Sequence, residues 1–470
     1  MGLFRIKTTE CRVGVVGTSF SGKTVLLTSL INHLKDYDPS RFKLGDERQP
    51  AHLRKFRTLP PDEGWDAFPY EAARDALVNR GRWPQKTRDR AAYTCQFERS
   101  DWTFSDTLLK LYDLPGERIA DAAMLGMNYA TWSDHILKLF QSDHSYRRCT
   151  EDFLAAIERP VSEPGPLLRA YRLALANLIL HFKPMISPST FLLDQQGTLA
   201  KPVRDGSGQV DVAKSIEELA DNRFCGLSAS EQFCPLPANL RSPGSEILAA
   251  FTTRYKAYTL AVVLPAILTL KSCTSLIVLV DVPMLLAGGV GMYDDNRQII
   301  EDLLKVLEPG ETPLWGPMAR GLEKVFLPHG WRSGRITRIA FTAPKADLVH
   351  PLDRDHVLRL LRTMVGRIAG NFDGLHSQFF NCSAIVSTKM LPSPTGERLL
   401  VGIPYRDPQG NRLPPGPEAR FATSTVPDDW PQEWQPGRFV FPEVYPHMPA
   451  RKDHPPEQVN LDRIATFVIE

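Results

Sequence analysis

Cysteine is sparse and scattered in this 470-residue chain. The seven (Cys11, Cys95, Cys149, Cys225, Cys234, Cys273 and Cys382) form no C-x-x-C pair. That spacing excludes a structural zinc site and a disulfide framework, and it suits a reducing cytosol. Net charge is nearly absent too: 56 Lys and Arg against 54 Asp and Glu leave a formal +2. No global field draws the chain to nucleic acid, so no nucleic-acid partner is expected. Short basic runs such as His52-Leu53-Arg54-Lys55 and Arg147-Arg148 read as solvated surface. Long hydrophobic runs are also missing. Residues 258–270 are too few and include Pro265, while 276–292 carry Asp281, Pro283 and several glycines. A spanning helix needs about 20 apolar residues, so both stretches read as buried core and no transmembrane segment is expected. Peripheral association with a membrane surface stays compatible with this. The start, Met1-Gly2-Leu3-Phe4-Arg5, lacks the apolar region of a secretory leader. Internal repeats and long low-complexity segments are absent.

What is present is ordinary globular material, long enough for two or three domains at roughly 100–200 residues each. Residues 12–16 are a short apolar run ending in a glycine-rich turn, and 25–34 carry apolar positions at helical spacing. This reads as a buried strand feeding a helix. Polar, proline-bearing sequence follows over 36–66, then strand-like runs at 93–97 and 107–114. From 120 to 272 strands become scarce. Helical periodicity appears at 146–157, 167–182 and 246–268, with a polar stretch at 192–244, and the whole block reads as a helical insertion. The strand pattern returns at 275–282, a run of the fully buried type. A helix at 295–307, a strand at 338–342, a helix at 354–368 and a last strand near 382–387 follow. Strands alternating with helices predict an α/β fold with a mostly parallel sheet. The tail, 391–470, is proline-rich, with turn signals that predict small β-hairpins and a closing helix over 460–469. The expected domains are 1–119 with 273–390, the insertion 120–272, and the extension 391–470.

Gly17-Thr18-Ser19-Phe20-Ser21-Gly22-Lys23-Thr24 matches G-x-x-x-x-G-K-[ST] in full, directly after a predicted strand and before a predicted helix. The glycines let the backbone curl so that successive N–H groups face phosphate oxygens, and the helix N-terminus, which includes Val25, adds its dipole. Lys23 is expected on the β- and γ-phosphates and Thr24 on Mg²⁺. A site of this type also needs an acidic residue at the end of another strand to hold the metal. Asp113-Leu114-Pro115-Gly116 supplies it about 90 residues later. Asp113 is the candidate metal ligand through water, and the Gly116 N–H the candidate sensor of the γ-phosphate, with the following loop moving on hydrolysis. Glu117 stands where switch-type GTPases place a water-orienting glutamine. It is a candidate catalytic residue, with a surface or salt-bridge role as the alternative. In Arg82-Trp83-Pro84-Gln85-Lys86-Thr87-Arg88-Asp89, Thr87 is the candidate for a second Mg²⁺ and γ-phosphate ligand.

The base-reading end is expected after the strand 338–342, in Ala343-Pro344-Lys345-Ala346-Asp347. Guanine-specific sites use [NT]-K-x-D there. The aspartate accepts from the guanine N1–H and 2-amino group, and the lysine stem covers the base. Lys345 and Asp347 fit, while Pro344 replaces the Asn or Thr whose side chain braces the loop. Ser387-Thr388-Lys389 is expected to offer backbone N–H groups to the base oxygen, with Cys382-Ser383-Ala384 as a rival alignment.

The phosphate loop, Trp83-Pro84-Gln85-Lys86-Thr87, Asp113-Leu114-Pro115-Gly116-Glu117-Arg118, Thr342 to Asp347 and the closing Asn460-Leu461-Asp462-Arg463 together resemble the YcjX-like family of bacterial P-loop proteins, over nearly the whole chain. The resemblance implies a Ras-like nucleotide domain with a large helical insertion, GTP and GDP binding, and Mg²⁺ dependence. It also implies a cytoplasmic or membrane-peripheral location and a link to bacterial envelope stress. The expected function is a Mg²⁺-dependent GTPase acting as a stress-linked regulatory switch on a protein effector. An ATP-selective mechanochemical ATPase and a non-hydrolysing nucleotide-binding scaffold are the alternatives. Intact Lys23, Thr24 and Asp113 speak against the scaffold, and Asp347 speaks for guanine.

Overall fold

The computed structural model describes residues 7–18, 21–85, 90–101, 105–114, 116, 118–142, 144–159, 163–181, 203, 206, 211–222, 227–228, 230–307, 336–369, 375–391, 398–407 and 412–470. The chain divides into two compact units. One comprises Met1–Pro115, Thr269–Arg297 and Pro328–Glu470, the other Gly116–Leu268 and Gln298–Leu327.

The first unit is built on an eight-stranded sheet. Its strands are β1 (Lys7–Gly17), β2 (Leu53–Leu59), β3 (Asp66–Ala67), β4 (Ala91–Arg99), β5 (Ser105–Asp113), β6 (Ser275–Leu279), β7 (Arg338–Ala343) and β8 (His376–Asn381). The order is β2-β4-β5-β1-β6-β7-β8, with β3 beside β4. From β5 to β8 every pairing is parallel, and β2 and β4 form an antiparallel margin. The expected mostly parallel α/β fold is what the chain adopts. The reason is legible in β6, Ser-Leu-Ile-Val-Leu, all five residues of which are buried. A strand covered on both faces cannot alternate apolar with polar.

One face of the sheet is covered by helix α1 (Lys23–Lys35) and by the C-terminal helix Leu461–Ile469. Val13 and Val15 of β1 pack there with Leu26, Leu30, Leu461 and Ile464. Helix α2 (Tyr70–Val78) packs on α1, and the helix Arg354–Ala369 packs on β7 and β8. Three short antiparallel strands, β9 (Lys389–Leu391), β10 (Leu399–Gly402) and β11 (Ala419–Ala422), form the small second sheet anticipated for the tail.

Two strands lie elsewhere than the sequence pattern placed them. β2 falls inside the 36–66 stretch read as polar connection, because an edge strand with burial only at Leu53, Phe56 and Leu59 lacks the period-2 signal. Its basic Arg54, Lys55 and Arg57 keep a free sheet edge unattractive to other chains. The last strand of the large sheet is His376–Asn381, not 382–387. The latter run is buried because it lies under the loop holding Val459 and Glu457, to which Ser383 and Val386 hydrogen-bond.

The second unit contains helices α3 (Arg118–Asp121), α4 (Tyr129–Ser142), α5 (His144–Ile157), α6 (Pro164–His181), α7 (Val212–Asn222) and α8 (Glu246–Tyr258), the last running through a π-turn (Thr259–Val263) into α9 (Leu264–Ser272), whose residues from Thr269 on are counted with the first unit. Its core is aromatic: Trp132, Phe233, Tyr129 and Tyr255 meet edge-to-face or tilted at 5.2–5.9 Å. The buried Asp121 accepts from Tyr258 Oη at 2.8 Å, and Arg118 donates to the same hydroxyl at 3.1 Å. Helix α10 (Val282–Leu307), counted with the first unit through Arg297 and with the second from Gln298, extends further upstream than the expected 295–307. It is broken at Gly289, which takes φ 86°. Among the described residues no helix is long and apolar enough to cross a membrane.

His33 on α1 stacks on Phe42 at 4.8 Å and is buried, with Nε2 3.1 Å from the Pro456 carbonyl. That carbonyl can only accept, so Nε2 carries a proton, a bond that by itself favours the charged ring. Burial pushes its pKa down to about 4. The unfolded chain therefore takes up a proton first, near pH 6.5, and the fold loses stability as pH falls from there to about 4, by about 3 kcal/mol in total. His33→Gln, which still donates to Pro456, is expected to remove that part of the acid sensitivity. Urea midpoints at pH 7 and pH 4.5 measure it. Equal acid shifts in both proteins would show that His33 contributes none of it.

Candidate functional site

β1 ends at Gly17, in register with Leu279 of β6. A Cβ at Gly17 would stand 2.7 Å from both Leu279 Cβ and Ser21 Oγ, so only glycine lets the loop leave the sheet this close to β6. Gly22 precedes α1 with φ 91°, a region that residues with a Cβ avoid, and open space lies where that Cβ would be. The two glycines of the motif thus do different work, one permitting close packing and the other turning the backbone into the helix. The hydroxyls of Thr18 and Ser21 are buried and find no hydrogen-bond partner among the described residues. Such groups cost about 1–3 kcal/mol each, and a ligand rich in acceptor oxygens offsets that cost. With the amides at the start of the 13-residue α1, this donor set fits a phosphate chain.

Lys23, the first residue of α1, is 9% exposed. Its Nζ donates to the carbonyls of Gly17 (2.8 Å) and Thr18 (3.1 Å), which hold the side chain folded back over the loop. Burial lowers its pKa to about 8, against the opposing pull of Asp113. Asp113 closes β5, the parallel neighbour of β1, in register with Val15, and is 1% exposed. Sheet pairing thus brings together two residues 90 positions apart, at the carboxyl ends of adjacent strands where ligands of open α/β sheets sit. Thr24 follows Lys23 on α1 and is half-buried. Val25 packs with Leu77, Val78, Ile385 and Trp83 in a satellite cluster, so its side chain anchors the helix. Trp83 is tied further by Nε1–H to the Val444 carbonyl at 2.9 Å. Ser19, Phe20, Thr87 and Glu117 lie outside the described residues, as do Lys86, Arg88 and Pro115. Gly116 opens the second unit, its carbonyl accepting from Ile119 N–H at 3.3 Å.

At the other end, β7 leads through Pro344 to Lys345, which takes φ 61°, and to Asp347 in a short 3-10 turn. Asp347 is 4% exposed and densely held. Its Oδ1 accepts from Ser383 Oγ at 2.8 Å and its Oδ2 from Ser387 N–H at 2.9 Å. Thr388 Oγ1 donates to its carbonyl at 2.5 Å. Burial raises its pKa above the ordinary carboxylate value, opposed by these bonds and by nearby Arg354. The two stretches weighed as rivals both border this residue, Ser383 at one carboxylate oxygen and Ser387 at the other. The Ser387 amide, expected to face a base oxygen, here donates to the carboxylate. Each carboxylate oxygen keeps a second lone pair for a ligand donor.

Asp281, two residues past β6, was not among the sequence candidates. Its Oδ2 meets Lys345 Nζ at 2.5 Å and its Oδ1 accepts from Met284 N–H at 3.1 Å. Its signal was present in the pattern it shares with Asp113: an apolar strand run that stops on an aspartate.

The profile of the YcjX-like family, DUF463, matches residues 11–164 and 228–470. Among the relatives, the Ras-like GTPase YcjX of Escherichia coli (strain K12) is 25% identical over 492 aligned positions, covering 97% of this chain and 95% of its own. The Ras-like GTPase YcjX of Shewanella oneidensis is 24% identical over 495 positions, covering 98% and 93%. The family profile spans both the phosphate loop and the Asp347 segment, and by that match the chain belongs to the YcjX-like family.

Proposed function

We propose that this protein binds GTP with Mg²⁺ and hydrolyses it to GDP and phosphate, as a regulatory switch in a stress response. The observation that carries the reading is a pair of built ends on one sheet edge. A buried lysine and aspartate stand at the phosphate loop, and a buried aspartate stands at the end of β7 with its carboxylate aimed by two hydrogen bonds. The relatives' name, Ras-like GTPase, supports guanine as the base.

Thr24 and Asp113 are the oxygen donors that would hold Mg²⁺, with Thr87 as a further donor. Among the described residues no three carboxylates, histidines or cysteines converge into a metal site of their own. A cation here would therefore take much of its shell from phosphate oxygens and water, as Mg²⁺ does, and would supply charge neutralisation. The loop amides orient the β- and γ-phosphates, and Lys23 stabilises charge on the oxygens as water attacks the γ-phosphorus in line and the bond to the β–γ bridging oxygen breaks. The Gly116 amide reports the γ-phosphate, and Glu117 is the candidate for orienting or deprotonating the water. In this reading 1–119 with 273–390 bind nucleotide, 120–272 transmit its state to a protein effector, and 391–470 extend the nucleotide domain. The setting is cytoplasmic or membrane-peripheral.

Pro344 supports a second reading, an ATP-selective enzyme, because it removes the side chain that usually braces a guanine loop. Equilibrium binding of fluorescent GDP and ADP, with and without Mg²⁺, separates the two. A clear preference for GDP supports guanine recognition. Equal or tighter ADP binding overturns it.

A further inference from the structure

We propose that Asp281 is a positioning residue for base selection, replacing from a neighbouring strand the brace that Pro344 cannot provide. The inference rests on the guanine-binding reading above. Proline has neither an N–H nor a polar side chain, so position 344 anchors nothing through hydrogen bonds it donates. Yet the next residue, Lys345, holds a left-handed conformation that is uncommon for a residue with a Cβ and must be maintained by its surroundings. Two contacts maintain it. The Lys345 carbonyl accepts from Leu348 N–H at 3.0 Å, closing the turn that contains Asp347, and the Lys345 ammonium pairs with Asp281 at 2.5 Å.

Asp281 suits this role because it cannot move. Its side chain is 1% exposed, one oxygen is fixed by the Met284 amide, and its loop is tied to β7 by Val280 N–H donating to the Thr342 carbonyl at 2.9 Å. The rung it follows is also the one that joins both ends of the site. Leu279 of β6 registers with Gly17, where the phosphate loop begins, and with Thr342, just before the base-reading turn. Asp281 therefore couples the Lys345–Asp347 turn to the strand on which the phosphate loop rests. With the ammonium held, the lysine stem is fixed for covering a base, and Asp347, two residues on, is fixed from both sides of its turn.

The test is the ratio of fluorescent GDP to ADP affinity in wild type, Asp281→Asn and Lys345→Met, with the double variant, at constant Mg²⁺, and with melting temperature measured alongside. In Asp281→Asn the GDP:ADP preference is expected to fall about tenfold or more, the equivalent of one charge-assisted bond, with ADP binding nearly unchanged. The double variant is expected to be no worse than the weaker single one, as for two members of one unit. A wild-type ratio in Asp281→Asn overturns the proposal. So does an equal loss for GDP and ADP that tracks a lowered melting temperature, which is what a merely structural residue gives. If Asp281→Asn does not fold, Asp281→Glu keeps the charge while shifting it by one methylene, and the same ratio decides. Absence of any GDP preference in the wild type fails the guanine reading itself and is separable from failure of the Asp281 proposal, which requires that preference to be present and untouched by the substitution.

Discussion

Lys23→Ala is expected to weaken GDP and GTP binding by about a hundredfold or more, since two charge-assisted bonds of about 1.5–3 kcal/mol each are removed from the phosphates. The fold should survive. Lys23 caps no core cluster, and its present bonds go to the carbonyls of Gly17 and Thr18, which can turn to water. Wild-type binding should also carry the signature of a buried ammonium. With its pKa near 8 in the protein alone, and raised again by adjacent phosphates, the lysine must take up a proton to bind at higher pH. Affinity should therefore fall as pH rises through 8, by up to about tenfold per unit, and the alanine variant should show no such slope. Titration of fluorescent GDP at pH 7, 8 and 9 measures both effects. Unchanged affinity in Lys23→Ala would remove the phosphate loop from the site.

Asp347→Asn is expected to cost guanine nucleotides about a hundredfold or more, because a site built to accept from two donors rejects a partner it can no longer match. Xanthosine nucleotides should gain, since the asparagine amide donates to the 2-oxo group and its carbonyl still accepts N1–H. The pH dependence points the other way from that of Lys23. Burial raises the Asp347 pKa, and guanine binds the charged acceptor, so affinity falls on acidification at a pH above the ordinary carboxylate range. The asparagine variant should lose that dependence. Competition between GDP and xanthosine diphosphate is the measurement. An unaltered base preference would place recognition elsewhere.

The parts of this site that are legible in the sequence are those where backbone geometry dictates the residue. Gly17, Gly22, Lys23 and Asp113 are bound to a strand end or a helix start, and hydrophobic pattern locates both. The base-reading end is only half legible. Asp347 is marked by its spacing from Lys345, but its partners Ser383 and Ser387 come from a segment 36–40 residues later whose apolar run imitates a strand. Burial under a loop and burial in a sheet leave the same composition. Asp281 was passed over for another reason. An aspartate after a buried strand is common, and only strand order brings it to Lys345, 64 residues away. The edge strand β2 escaped because half-exposed edges have no periodicity to read.

The central place of β1 also sets a timetable for synthesis. The strand that carries the phosphate loop finds β5 within about a hundred residues, but its other edge waits for β6, with Arg12 and Thr274 separated by 262 residues. Its cover waits longer still, for Ile469, whose carbonyl accepts from Cys11 458 residues upstream. At roughly 5–20 residues per second, the first strand leaves the ribosome about 20 to 90 s before the helix that will roof it. Until β6 emerges, one row of β1 backbone amides and carbonyls is unpaired, and until the last helix emerges Val13 and Val15 have only α1 as cover on that face.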